Sequence, residues 1–160
     1  FGVHRTFLAP DGRGKAHVTP QKMMLGVTAG GYVEVAQGTG PLVIGEGIET
    51  TLTVLQEAFE PNTAYWCGAS LSNMAGRSDP TKKGKDRHAW PDIDATAFVP
   101  PAWCKTLVLL RDADSNAKAT TNQLLRCGRR AMALRPGLVA KIANATDGKD
   151  FNDMLVEGAE

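Results

Sequence analysis

Apolar positions along the chain follow two regimes. Residues 1–40 are rich in Gly and β-forming side chains: VHRTFL, a turn at PDGRGK, a stretch around KMMLGV, then GYVEVA, which alternates apolar and polar residues. Alternation with period two marks a strand with one buried face, so this part reads as a small antiparallel meander. From Pro41 onward, continuous apolar runs are followed by helix-like periodicity, the pattern of parallel βαβ units. LVIG is the first buried strand. GIETTLTVLQEAFE continues it as an amphipathic helix with Ile48, Leu52, Leu55 and Phe59 on one face, stopped by Pro61. TAYWCG reads as the next strand, with a short helical piece around SLSNMAG. Residues 77–101 are polar and contain prolines, a loop long enough to be functional or disordered. KTLVLLRD is a strand, and ATTNQLLRCGRRAMALR a helix closed by Pro136 and Gly137. The pattern turns Leu124, Cys127, Ala131 and Leu134 of that helix inward and most of its arginines outward. GLVAKIAN is a further strand, and GKDFNDMLVEG a turn entering a terminal helix. The predicted architecture is α/β: a mostly parallel sheet flanked by helices, preceded by a small antiparallel β subdomain, with the boundary near Gly38–Pro41.

Length and composition narrow this picture. A chain of 160 residues, 42% apolar, has room for one core, or one core and a small annex. No run approaches the roughly 20 apolar residues needed to cross a bilayer, so a soluble protein with no membrane partner is expected. Cys67, Cys104 and Cys127 are odd in number and lack CxxC spacing, which argues against a disulfide framework or a zinc knuckle and for a reducing cytoplasm. Phe1 is followed by polar and basic residues, and the chain reads as a piece of a larger protein. The net charge of +1 conceals segregation of the signs. Between Asp114 and Asp147 there is no acid, while Lys118, Arg126, Arg129, Arg130, Arg135 and Lys141 accumulate, and Lys82, Lys83, Lys85 and Arg87 crowd a second segment. Such stretches bind polyanions or simply solvate a helix face.

The candidate chemistry lies where apolar runs end. VIGEGIETT places Glu46 just past a strand, between Gly45 and Gly47, which allow a phosphate or a nucleic-acid backbone to approach closely. The helix that follows favours anions at its start, and Glu46 read more plainly stabilises that helix start. VLLRDADSN delivers Asp112 and Asp114, alternate carboxylates able to share one Mg²⁺. A second DxD, Asp92 and Asp94, follows Pro91 in the long loop with no apolar run before it and reads as structural. GKDFND sets Lys149, Asp150 and Asp153 past the last strand, with Asp153 equally suited to capping or facing solvent. In open α/β sheets ligands bind outside the carboxyl ends of the strands, so these acids are candidates for one hard cation. His4, His17 and His88 have no ligand spacing. Trp66 reads as core, while Trp90 and Trp103 lie in or beside the loop, where base stacking competes with ordinary packing.

In order and position these motifs resemble the Toprim domain, the catalytic Rossmann-type fold shared by bacterial-type primases, topoisomerases and several nucleases. The resemblance covers roughly residues 41–160. It implies that Glu46 is the general acid or base, that Asp112 and Asp114 bind Mg²⁺ with Mn²⁺ as a substitute, that Glu49 is a supporting acid, and that Asp150 is the downstream acid of the primase branch. Residues 1–40 resemble the small basic subdomain that precedes Toprim in primases, with Arg5 and Lys22 in the positions of its basic residues. The match is looser there, because Gln21 separates Pro20 from Lys22 and Met23 stands where an aromatic is usual. GVHRTFLAPDGRGKA with GEGIETTLTV is most similar to primase-helicase proteins of phages, plasmids and integrated elements.

The leading expectation is therefore the catalytic core of a DNA primase, a nucleotidyltransferase of DNA replication. It would join nucleoside triphosphates on single-stranded DNA, beside a helicase domain in the same or a partner chain. Lys82, Lys83, Lys85, Arg87, Arg126, Arg129, Arg130 and Lys149 would neutralise nucleic-acid or nucleotide phosphates. A Toprim nuclease would use the same carboxylates to activate water, and a non-catalytic nucleic-acid-binding module would keep them for structure alone. A topoisomerase fits less well, since neither Tyr32 nor Tyr65 has a claim to be its nucleophile. A haloacid-dehalogenase-type phosphatase would leave Glu46 unexplained and places Thr or Val where Asn116 stands.

Overall fold

A computed structural model describes residues 2–57, 60–112, 117–145, 151 and 154. The first forty residues begin with an antiparallel pair, β1 (Gly2–Thr6) and β2 (Lys22–Gly26), in register from Gly2 opposite Gly26 to Thr6 opposite Lys22. The main sheet has five strands: β3 (Val33–Ala36), β4 (Leu42–Gly45), β5 (Ala64–Cys67), β6 (Thr106–Arg111) and β7 (Val139–Asn144). Their spatial order is β3-β5-β4-β6-β7. β5, β4, β6 and β7 run parallel, and β3 lies antiparallel on the edge of β5. GYVEVA thus belongs to the main sheet rather than to the N-terminal meander. Alternation identifies a strand but not its partner, and here the exposed edge of β5 takes it. Tyr32, just before β3, stacks on Trp66 of β5 with ring centroids 3.8 Å apart.

β4 and β5 are buried at every position, as expected of strands covered on both faces. Alternate side chains feed two cores. Leu42, Ile44, Trp66, Leu107 and Leu109 point to one side, where α2 (Leu71–Ala75) and α3 (Ala117–Leu134) supply Met74, Leu124, Cys127 and Ala131. Val43, Tyr65, Val108 and Leu110 point to the other, where α1 (Ile48–Gln56) supplies Val54 and Leu55, and Phe151 packs beside them. The winding explains the two layers. β4 connects through α1 to β5 on one side, whereas β6 connects through α3 to β7 on the other, and crossovers of one hand then place α1 and α3 on opposite faces. The sheet therefore reverses its direction of growth between β4 and β6.

α1 does not bury the stripe its apolar residues predict. Thr50, Thr51, Thr53 and Val54 are its buried residues, while Leu52 is 44% exposed, and Phe59 lies outside the described residues. The threonines tolerate burial because their hydroxyls find acceptors: Thr51 Oγ1 donates to the Gly47 carbonyl at 2.8 Å and Thr53 Oγ1 to that of Glu49 at 3.1 Å. Gly45 serves this packing, since a Cβ there would meet Thr51 Oγ1 at 2.7 Å.

Residues 77–101 are folded back on themselves and against α3. Ser78 bridges Pro91, the Asp79 amide donates to the Trp90 carbonyl at 3.0 Å, and a 3₁₀ turn spans Arg87–Ala89. Arg77 pairs with Asp92 at 2.5 Å across the neck of the segment, and the guanidinium holds the Asp92 carboxyl below its ordinary value. Ala89, Ala95, Ala97 and Phe98 are buried. Among the described residues no helix is long and apolar enough to cross a membrane.

Candidate active site at the carboxyl ends of β4 and β6

The crevice where the sheet changes direction holds two of the predicted carboxylates, Glu46 and Asp112. β4 and β6 pair in parallel, Leu42 opposite Leu107 and Ile44 opposite Leu109. Glu46 follows the last residue of β4 and Asp112 the last residue of β6, so the two acids leave adjacent strands at the same edge of the sheet. Backbones of paired strands lie about 4.8 Å apart, which puts both side chains within reach of one small ligand. Glu46 is exposed and Asp112 half-buried. Thr50 Oγ1, in the first turn of α1, donates to Asp112 Oδ2 at 2.9 Å, fixing the carboxylate from the neighbouring layer. Sequence reasoning missed Thr50, because a threonine in a helix carries no signal of a partner 62 positions away.

Gly47 stays open. A Cβ built there would lie 3.5 Å from Glu49 Oε2 and 3.6 Å from Thr50 Oγ1, both ordinary contacts, so the Glu46–Gly47 backbone is approachable. Glu49 is exposed in the first turn of α1, where a carboxylate complements the helix dipole. Cys67 ends β5 beside them, and its thiol donates to the Glu46 carbonyl at 3.1 Å. Burial pushes that thiol up. The Ala69 amide lowers it, and the charges of Glu49, Lys22 and Glu46 also act on it.

The remaining predicted residues divide into several groups. Arg5 and Lys22 are both exposed, but Arg5 pairs with Met23 and Lys22 with Thr6, which puts them on opposite faces of the two-stranded sheet. Lys82, Lys83, Lys85 and Arg87 are exposed on the 77–101 segment. The arginines of α3 do not face out as the sequence suggests. Arg126 and Arg130 are 8% and 5% exposed, and Arg129 is half-buried. Arg126 Nη1 donates to the His88 carbonyl at 2.6 Å and Arg129 Nη1 to that of Ala89 at 2.8 Å. Arg130 reaches the carbonyls of Ala95 at 2.6 Å and Phe98 at 2.9 Å. Arg129 also lies over the Trp90 ring, 4.3 Å from its centroid, so that ring is occupied by a cation. Asp114, Lys149, Asp150 and Asp153 lie outside the described residues.

Among the described residues no three His, Cys, Asp or Glu side chains gather into a metal cluster. Glu46 and Asp112 are nevertheless hard oxygen donors at one edge, and the predicted partners Asp114 and Asp150 are further carboxylates. That donor chemistry suits Mg²⁺ or Mn²⁺ and not a soft metal.

Comparison with known families gives two matches. Residues 1–35 match a domain of unknown function (DUF7146), and residues 41–160 match the Toprim domain. No curated protein and no solved structure matches the chain. The second match spans three quarters of the sequence and includes both strand-end acids, and the sheet described above has the architecture expected of that fold. The chain belongs to the Toprim domain family, whose members carry out metal-dependent chemistry on nucleic acid.

Proposed function

We propose that this chain is the catalytic core of a DNA primase, joining ribonucleotides into a primer on a single-stranded DNA template. The observation that carries the reading is the pair Glu46 and Asp112, at the carboxyl ends of adjacent parallel strands where the sheet changes direction. Glu46, open to solvent and flanked by an approachable backbone, accepts the proton of the primer 3′-hydroxyl as that oxygen bonds to the α-phosphorus of the incoming triphosphate and pyrophosphate leaves. Asp112, held by Thr50, would bind Mg²⁺ together with Asp114 and Asp150. The ion, when bound, neutralises charge developing on the phosphoryl oxygens. Lys22 on the N-terminal hairpin, with Lys82, Lys83, Lys85 and Arg87, presents exposed cations to template phosphates. Arg126 Nη1, and Arg130 Nη1 and Nη2, donate to carbonyls of the 77–101 segment, so both residues act there as staples. Support for a primase over a nuclease comes from the VHRTFL and GEGIETTLTV segments and their likeness to primase-helicases. A helicase domain in the same or a partner chain is the expected companion.

The test is incorporation of labelled ribonucleotides on single-stranded DNA with Mg²⁺ or Mn²⁺. Asp112→Asn and Glu46→Gln should each lower the rate by about 10²-fold or more while leaving the fold intact. Shortening of the DNA in the absence of nucleotides, lost in the same variants, would replace the primase reading with a nuclease. Activity unaffected by Asp112→Asn would remove these carboxylates from the chemistry.

A further inference from the structure

A second polar feature lies along α3, apart from the carboxylates. A groove of about 400 Å³ runs between the first turns of this helix and the 3₁₀ turn of the 77–101 segment, lined by His88, Lys118, Ala119, Asn122, Gln123 and Arg126. Its described lining contains no acid, and none occurs in the sequence from residue 115 to residue 146. Lys118 is exposed at the mouth. Arg126 is 8% exposed, and its Nε is buried without a hydrogen-bond partner among the described residues. One of its donors reaches a neutral acceptor, the His88 carbonyl, at 2.6 Å. Burial lowers its pKa from the ordinary guanidinium value, and no carboxylate among the described residues acts on it. A mostly buried guanidinium without a counter-charge among the described residues is destabilising, and a bound anion offsets that cost.

The spacing identifies the anion. Lys118, Asn122 and Arg126 recur every four residues, so they form one row along the helix with a step of about 6 Å. Cation, amide and cation follow one another over a distance longer than a single phosphate group, matching a chain of phosphates. The row begins in the first turn of the helix, where the dipole also favours anions. That turn follows β6 and Asp112 in the chain, so the row begins toward the carboxyl ends of the strands and runs back along the sheet. We propose that this groove binds the phosphate backbone of single-stranded nucleic acid, as a track extending from the Glu46–Asp112 crevice along α3. The track does not depend on primase chemistry, since a strand would occupy it in a polymerising or a cleaving enzyme.

Binding of a fluorescently labelled oligothymidylate, followed by anisotropy without metal or nucleotides, tests the track separately from catalysis. Lys118→Glu and Gln123→Glu should each weaken binding about tenfold, and Lys118→Glu should reduce the slope of log affinity against log salt by about one. Lys141→Glu makes the same charge change as Lys118→Glu at an exposed position of β7, outside the groove lining, and should leave affinity within about twofold. Thermal melting of each variant separates lost binding from lost structure, and Lys118 and Gln123 are chosen because neither staples the loop. Equal weakening by Lys141→Glu, or none by Lys118→Glu, would overturn the proposal. Full displacement of the oligonucleotide by an equimolar amount of ATP or tripolyphosphate would overturn it too, assigning the groove to a free nucleotide.

Discussion

Thr50 shows how single residues set this site. Its hydroxyl is the described donor to Asp112 Oδ2, and it comes from a helix on the α1 face of the sheet, so the position of the carboxylate depends on how α1 packs. Thr50→Val keeps the shape and removes that hydrogen bond. It should lower metal affinity by about 10-fold, as loss of an outer-shell partner does, and stability by about 1 kcal/mol. Calorimetric titration with Mn²⁺, alongside a urea melt, measures both effects, and unchanged affinity would mean that Asp112 needs no such support. Cys127 gives a residue-level prediction of a different kind. Burial between α3 and the sheet pushes its thiol from 9.0 up to about 12, against the lowering influence of Arg130 and Arg126. The folded value lies above the unfolded one, so this stabilisation is complete below pH 9.0 and is lost as pH rises toward 12. The loss amounts to a few kcal/mol, on the order of one for each pH unit crossed. Cys127→Ala should be less stable at neutral pH by about 1 kcal/mol and should lose less than wild type on going to alkaline pH. Urea midpoints at the two pH values give the comparison, and parallel alkaline losses in both proteins would exclude the thiol as the cause.

Among the elements, α3 departs furthest from its sequence pattern. Its apolar positions were legible: Leu124, Cys127 and Ala131 are buried as the helical period predicts. Its arginines were not, because their partners are backbone carbonyls of a segment some thirty to forty residues earlier, and a carbonyl leaves no mark in the sequence. A cationic stripe that looks solvated is instead the fastening of the 77–101 segment, extended by Arg135 Nε, which reaches the Pro100 carbonyl at 2.8 Å. The strand-end acids were legible for the converse reason, since a buried strand shows as an unbroken apolar run and its end is sharp. α1 lies between these cases, because threonines whose hydroxyls bond within their own helix can replace the apolar stripe expected there. The arginine fastening predicts a local failure. Arg130→Ala leaves the carbonyls of Ala95 and Phe98 without this donor and should cost about 3 kcal/mol. Trypsin should then cut at Lys82, Lys83 and Lys85 well before the sheet unfolds. Arg130→Lys should recover less than half of the loss, because one ammonium cannot span both carbonyls. Equal protease resistance in wild type and Arg130→Ala would mean that the segment holds its shape without the staple.

At the scale of the whole molecule, the N-terminal residues belong to two structures. Among the described residues β1 and β2 pair only with each other, whereas Tyr32 and β3 complete the main sheet. The turn between them is clipped to the main body by Asn73 of α2. Its Oδ1 accepts the Gly30 amide at 2.7 Å, and its Nδ2 donates to the carbonyls of Gly31 at 2.7 Å and Gly68 at 2.8 Å. The physical seam therefore lies before Gly30. Removing residues 1–29 takes away the hairpin and spares the clip, Tyr32 and β3, so the remainder should unfold in one cooperative transition close to that of the intact chain. Removing residues 1–37 also strips the edge of β5, whose segment AYWC is entirely buried, and leaves Trp66 without the ring stacked on it. A bare, apolar strand edge pairs with other chains, so this shorter protein should form large assemblies at concentrations where the longer one stays monodisperse. Light scattering across a dilution series, with calorimetry on whichever species remains monomeric, tells the two apart. Identical behaviour of both truncations would mean that β3 is dispensable to the sheet. Loss of folding already on removal of residues 1–29 would mean that the hairpin is an integral part of the domain.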